Sequence, residues 1–223
     1  NRPAGIWTIR FYPELDKDGK DISRYTISET KVIKMPFTYC LGKFIRTYSS
    51  NVAMAPVDDN VKVYEAYSYK KPENAGDPLS ERMGTVYLRQ LKYIPANMGV
   101  VLVGKQPAEG TFKDGDKLNY SLREAPADML VEGDNYTAVW TKDDYAGQEW
   151  NNYLKPTVTA IDKLGNADTD ADGKILHRFF GLANFHSTNY YKENKTGDDY
   201  IGFFRLTQNG RSGANKAYLS IPA

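Results

Sequence analysis

The chain has 223 residues, with 29 Lys and Arg against 28 Asp and Glu and a formal net charge of +1, so its bulk charge announces neither a nucleic-acid groove nor an anionic membrane surface as partner. No run of about 18 apolar residues occurs, which excludes a transmembrane helix. The single cysteine, Cys40, excludes an internal disulfide, and a chain of this length can bury the core of one large all-β domain or two small ones.

Taken in chain order, the first strand signal is the alternation over 6–12, followed by an apolar segment over 32–39 whose Pro36 suits an edge or a bulge. Cys40, between Met35-Pro36-Phe37 and Leu41, reads as a small buried hydrophobe. A period of two runs through 61–69. Further strands are predicted over 85–92, 98–103, 118–122, 136–141, 157–162, 175–182, 185–191, 200–207 and 216–221. Helix-like pieces are short, at 125–131 and 145–153, and neither sustains a 3.6-residue apolar period. Short strands separated by Gly, Pro, Asn and Asp clusters predict an all-β, antiparallel β-sandwich or barrel-like fold with few short helices. One compact domain over 1–223 is expected, with a sub-boundary near 124–134 if the chain consists of two related halves. The polar stretch 70–78 reads as a loop between paired strands.

Two related halves are suggested by an echo. Ile94-Pro95-Ala96-Asn97-Met98-Gly99-Val100 returns as Ser212-Gly213-Ala214-Asn215-Lys216-Ala217-Tyr218, each copy a turn that opens a strand. Pro95 presets a turn φ, Asn97 tolerates the left-handed region, and Gly99 permits close backbone approach. Val86-Tyr87-Leu88-Arg89 and Gly202-Phe203-Phe204-Arg205 are expected to be the hairpin partners of the two echoed strands. Chance recurrence of a turn dipeptide is the competing account.

The blocks Tyr93 to Leu102, Val61-Lys62-Val63-Tyr64-Glu65-Ala66, Gly202-Phe203-Phe204 and Ala214-Asn215-Lys216-Ala217-Tyr218-Leu219 resemble a module of surface proteins from gut and oral Bacteroidetes. In that family the module often follows leucine-rich repeats of the BspA-like type. The resemblance spans roughly 31–223; it departs at Ser212-Gly213, where the family usually has Ile-Pro, and in polar insertions around 70–82 and 143–172. It implies an extracellular, bacterial cell-surface address, an adhesive or structural role, and a host protein, neighbouring surface protein or glycan as partner. No catalytic residues come with it. The opening Asn1-Arg2-Pro3-Ala4 does not read as a signal peptide, so a processed or truncated form is expected.

Asp168-Thr169-Asp170-Ala171-Asp172-Gly173-Lys174-Ile175 reproduces the opening half of a calcium loop, with oxygen ligands at alternating positions and a Gly for the turn. Phe179 stands where the closing bidentate Glu would be, so a standard EF-hand is not expected; calcium would need further carboxylates, such as Asp198 and Asp199. The other reading is a hairpin turn at the tip of a solvated acidic loop. Asp16 to Asp21 is a weaker version of the same pattern.

With 17 Tyr, 9 Phe and 3 Trp the chain is rich in amphipathic rings. Trp140, Tyr145, Trp150 and Tyr153, interleaved with Asp, Glu, Gln and Asn, would suit a sugar-stacking platform, or equally a tyrosine-rich sheet core. His177 and His186 are nine residues apart, which matches no zinc ligand spacing. No nucleophile elbow, zincin, P-loop or dinucleotide fingerprint occurs. Together with the resemblance to the Bacteroidetes surface module, this predicts a non-catalytic surface module. Its alternative is a carbohydrate-binding or carbohydrate-active protein with a calcium-stabilised loop.

Overall fold

The computed structural model describes residues 17–19, 32–71, 84–130, 135, 152–185 and 200–223. The predicted strands at 6–12 and 136–141 and most of the one at 185–191 lie outside them, as does His186. The expected all-β class is what the fold shows: two curled antiparallel sheets and, among the described residues, one 3-10 turn at Ala127–Met129.

The first sheet contains β1 (Val32–Cys40), β2 (Lys43–Tyr48), β3 (Met54–Pro56), β4 (Val61–Lys70), β5 (Thr85–Leu91), β6 (Val100–Gly104) and β7 (Lys117–Glu124), in the order β3-β7-β1-β2-β6-β4-β5. The second contains β8 (Leu154–Thr157), β9 (Ala167–Thr169), β10 (Ile175–Phe185), β11 (Tyr200–Arg205) and β12 (Lys216–Pro222), in the order β11-β10-β12-β8 with β9 beside β10.

These two orders contain the same four-stranded unit. In the first sheet it runs β2-β6-β4-β5 and in the second β8-β12-β10-β11, so each echoed strand sits between the short strand that opens its unit and the long first strand of a hairpin. The correspondence extends to loops. Ile94 and Ser212, each three residues before the echoed Asn, form isolated antiparallel bridges to Met54 and Ile161. Asn97 and Asn215 both take left-handed φ, 58° and 54°, and their amides donate to Ser50 O at 2.7 Å and Val158 O at 3.4 Å. An Asn accepts that conformation at less cost than other side chains.

Two local expectations are corrected. The segments 86–89 and 202–205 are not hairpin partners of the echoed strands: β5 pairs with β4 and β11 with β10, and those long strands lie in between. β6 is buried on both faces and β12 is buried or half-buried along its length, as suits interior strands, whereas the chain neighbour of each closes the hairpin. The strand predicted at 157–162 instead occupies Leu154–Thr157, after which the chain leaves the ladder.

Hydrophobic packing follows from this order. Phe37, Phe44, Tyr48, Met54, Val63, Ile94, Leu102 and Leu122 fill the curl of the first sheet. A second core of Ala66, Val101, Leu154, Ala217 and Leu219 lies between the sheets. Val100 and Leu102 face the first core while Val101 and Val103 face the second, which explains the unbroken apolar run in β6. β2 has the same two-sided burial, so it lacks alternation and offers no clean strand signal.

Pro36 resolves into a specific defect. β1 is interior, but its pairing with β2 stops at Thr38↔Ile45. Pro36 O accepts the Arg46 guanidinium at 3.0 Å, so the side of Pro36 that lacks a donor faces the gap where no ladder is needed.

Candidate functional site

The acidic loop is the tip of the β9–β10 hairpin. Asp170 Oδ1 accepts from the amides of Asp172 at 3.1 Å and Lys174 at 2.9 Å, while the Asp170 amide donates to Lys174 O at 3.0 Å. Gly173, at φ 80°, allows the chain to reverse there. Asp168 turns to His177: its Oδ1 accepts the His177 amide at 2.7 Å, and His177 Nδ1 lies 3.1 Å from both carboxylate oxygens. A carboxylate at Nδ1 favours the tautomer protonated there and leaves Nε2 for another partner. Asp172 is exposed. Calcium takes about six to eight oxygens. Asp170 spends an oxygen on the turn and Asp168 both on His177, and among the described residues no group of three or more His, Cys, Asp or Glu gathers as a metal site. A cation held here would draw its remaining ligands from other segments.

Of the aromatic platform, Trp140, Tyr145 and Trp150 lie outside the described residues. Tyr153 is half-buried against the inter-sheet core and meets Tyr69 edge-on, ring centroids 4.9 Å apart. Its amide donates to Ala66 O of the first sheet, and its carbonyl accepts from Ser220 of the second, both at 2.9 Å. This geometry makes Tyr153 part of the seam between sheets.

Beside it, Asn152 is a three-way clamp. Its Oδ1 accepts from the amides of Ala66 and Leu154, both at 3.1 Å, and its Nδ2 donates to Gly99 O at 2.7 Å. Thr47 Oγ1 accepts from Ala217 N, Ser49 Oγ donates to Lys216 O at 2.7 Å, and Asn215 Nδ2 donates to Ser49 O at 3.1 Å. Polar side chains thus join two sheets that share no strand ladder, and their burial makes each lost partner costly.

Sequence reasoning missed a buried ion pair. Glu65 and Arg89 face each other in register on β4 and β5, and Arg89 Nε donates to Glu65 Oε1 at 2.6 Å with Nη2 on the same oxygen. Each side chain is only 4% exposed. Burial pushes the Glu65 carboxyl above its ordinary value, and the guanidinium pulls it back. Tyr67 lies under the guanidinium at 5.7 Å. The available signal was Glu65 itself, which follows Val61 and Val63 on the inward phase of β4.

Sequence also left unnoticed a basic surface on β1 and β7, where Lys34, Lys117 and Arg123 share the face turned away from the first core. Comparison with protein-family models, curated proteins and solved structures finds no match for this chain.

Proposed function

We propose that this chain is a non-catalytic module of a bacterial cell-surface protein, with an adhesive or structural role and a host protein, neighbouring surface protein or glycan as partner. The observation that carries this reading is where the resembling residues sit. Gly99, Asn215 and Ala217 belong to the blocks that resemble the Bacteroidetes surface module, and all three form the seam between the sheets. Motifs spent on a scaffold seam suit a module whose recognition resides on strand faces and loops. Supporting this, the polar groups of the acidic loop brace a hairpin. The carbohydrate-binding alternative draws support from the basic face of β1 and β7.

The test is surface labelling. Antibody against the chain should stain intact cells of the source bacterium, and protease added to those cells should remove the stain. Staining only after permeabilisation would overturn the address, and turnover of any member of a glycan panel by the purified chain would overturn the non-catalytic assignment.

A further inference from the structure

The second sheet covers only part of the first. Its core partners in the first sheet are Ile45 of β2, Val101 and Val103 of β6, Tyr64 and Ala66 of β4 and Val86 of β5, with none from β1 or β7. Among the described residues, the core of the second sheet does not extend over the outward face of those two strands. Met35 and Phe37 on β1, and Leu118, Tyr120 and Leu122 on β7, point into the first core, so Lys34, Lys117, Asn119 and Arg123 fall on the opposite face. Lys34, Lys117 and Asn119 are exposed.

At one end of this face stands a corner. Lys216, at the start of β12, accepts at its backbone carbonyl from Ser49 Oγ, just past the end of β2, and its ammonium lies close enough to Arg46 and Lys117 to feel both. Burial first, and then these two cations, push Lys216 down to about 8. At the other end Arg123 Nε is buried and meets no acceptor. From Lys117 to Arg123 the stripe runs about 20 Å at roughly 3.4 Å per residue. Among the described residues, none of Lys34, Arg46, Lys117, Arg123 and Lys216 forms an ion pair.

We propose that the outer face of β1 and β7, bounded by Arg46 and Lys216, binds a linear acidic polysaccharide whose carboxylates or sulfates meet Lys34, Lys117, Lys216 and Arg123. A row of cations on a flat strand pair matches a polymer with charge repeated along its length, and Asn119 offers a partner for sugar hydroxyls between the cations. Among the described residues, β1 and β7 place no aromatic ring on this face for a base to stack on, which favours polysaccharide over single-stranded nucleic acid. The proposal deepens the glycan arm of the surface-module reading and rests on it for biological context; the binding itself does not depend on cellular address, so the labelling experiment and this one fail separately.

The experiment is calorimetric titration of the full chain with heparin and with polygalacturonate at low ionic strength, with neutral dextran and a single-stranded oligonucleotide of matched length as comparisons. Binding to heparin, polygalacturonate or both is expected, and the polymer that binds tells sulfate from carboxylate recognition. Affinity should weaken with added salt and fall about tenfold or more in a Lys34→Glu, Lys117→Glu variant. A Lys34→Gln, Lys117→Gln variant, which introduces no repulsion, should show a smaller loss in the same direction. Lys62→Glu with Lys163→Glu makes the same change of net charge elsewhere and should leave binding unchanged. Absence of binding to both acidic polymers, equal losses in the two charge-reversed variants, or oligonucleotide binding as tight as that of the polysaccharides would overturn the proposal.

Discussion

Gly99 and Ala217 hold the same place in the two echoed turns and face each other across the seam: a Cβ on Gly99 would lie 2.8 Å from Ala217 Cβ and 2.7 Å from Leu154 O. The echo is therefore a pair of touching surfaces as well as a repeated turn. One copy must give up its side chain so that the other can keep a methyl group, which accounts for the Gly and Ala difference between the copies.

Gly99→Ala should destabilise the fold by about 1–3 kcal/mol, the usual cost of overpacking, because the obstructing atoms include a backbone carbonyl. Thermal unfolding of the double variant Gly99→Ala, Ala217→Gly provides the check. Part of the loss should return, since one of the two obstructions has been removed; strictly additive losses would mean that the two positions do not touch.

Asn152→Ala removes two acceptor contacts and one donor contact at the seam and should cost about 2 kcal/mol or more in denaturant unfolding. Asn152→Asp retains the acceptor for Ala66 and Leu154 but places a carboxylate oxygen against Gly99 O. It should remain clearly destabilised, and a neutral result would show that the donor contact to Gly99 contributes nothing.

Asp170→Ala should weaken the β9–β10 hairpin by about 1 kcal/mol through loss of the two amide contacts. If the loop is only a braced turn, melting curves with chelator and with millimolar calcium will show the same loss. A gap that opens only with calcium would make the loop a metal site, because a ligand that prefers the native state stabilises it.

Lys216 gives stability a defined pH signature. Its folded-state value, about 8, lies below its ordinary 10.5, so the fold disfavours the charged form. Below about pH 8 the group is protonated in both states and the full penalty applies; the penalty fades as pH rises towards 10.5, where the unfolded chain also loses the proton. Lys216→Met should thus raise the melting temperature at pH 7, and its advantage over wild type should shrink between pH 8 and 10. A constant advantage across that range would place the effect in packing alone.

Much of the fold is legible from local chemistry. Val61 to Glu65 reads as a strand because Val61, Val63 and Glu65 are buried on one phase while Lys62 is exposed and Tyr64 half-buried, and the Ala-Asn turns read correctly because left-handed Asn is a property of a few adjacent residues. β2 escapes the same reading because Phe44 and Tyr48 face one core while Ile45 packs on the other, so burial erases its period. The candidate site is less legible. Tyr153 reads as an aromatic near polar residues, and only the position of Tyr69, Ala66 and Ser220 turns it into a seam residue. The three Asp of the loop have calcium-like spacing, yet what their oxygens meet is set by the hairpin and by His177.

By itself the sequence determined the all-β class, most strand positions, the repeated turn and the missing disulfide, since each depends on side-chain alternation, backbone preference or composition within a short window. Tertiary structure alone decided the strand order, the contact of Gly99 with Ala217, the burial of Glu65 against Arg89 and the line of cations on β1 and β7. Those depend on register and on which faces find cover, and residues distant in the chain acquire a relationship only when non-local burial selects one pairing from the many that local rules allow.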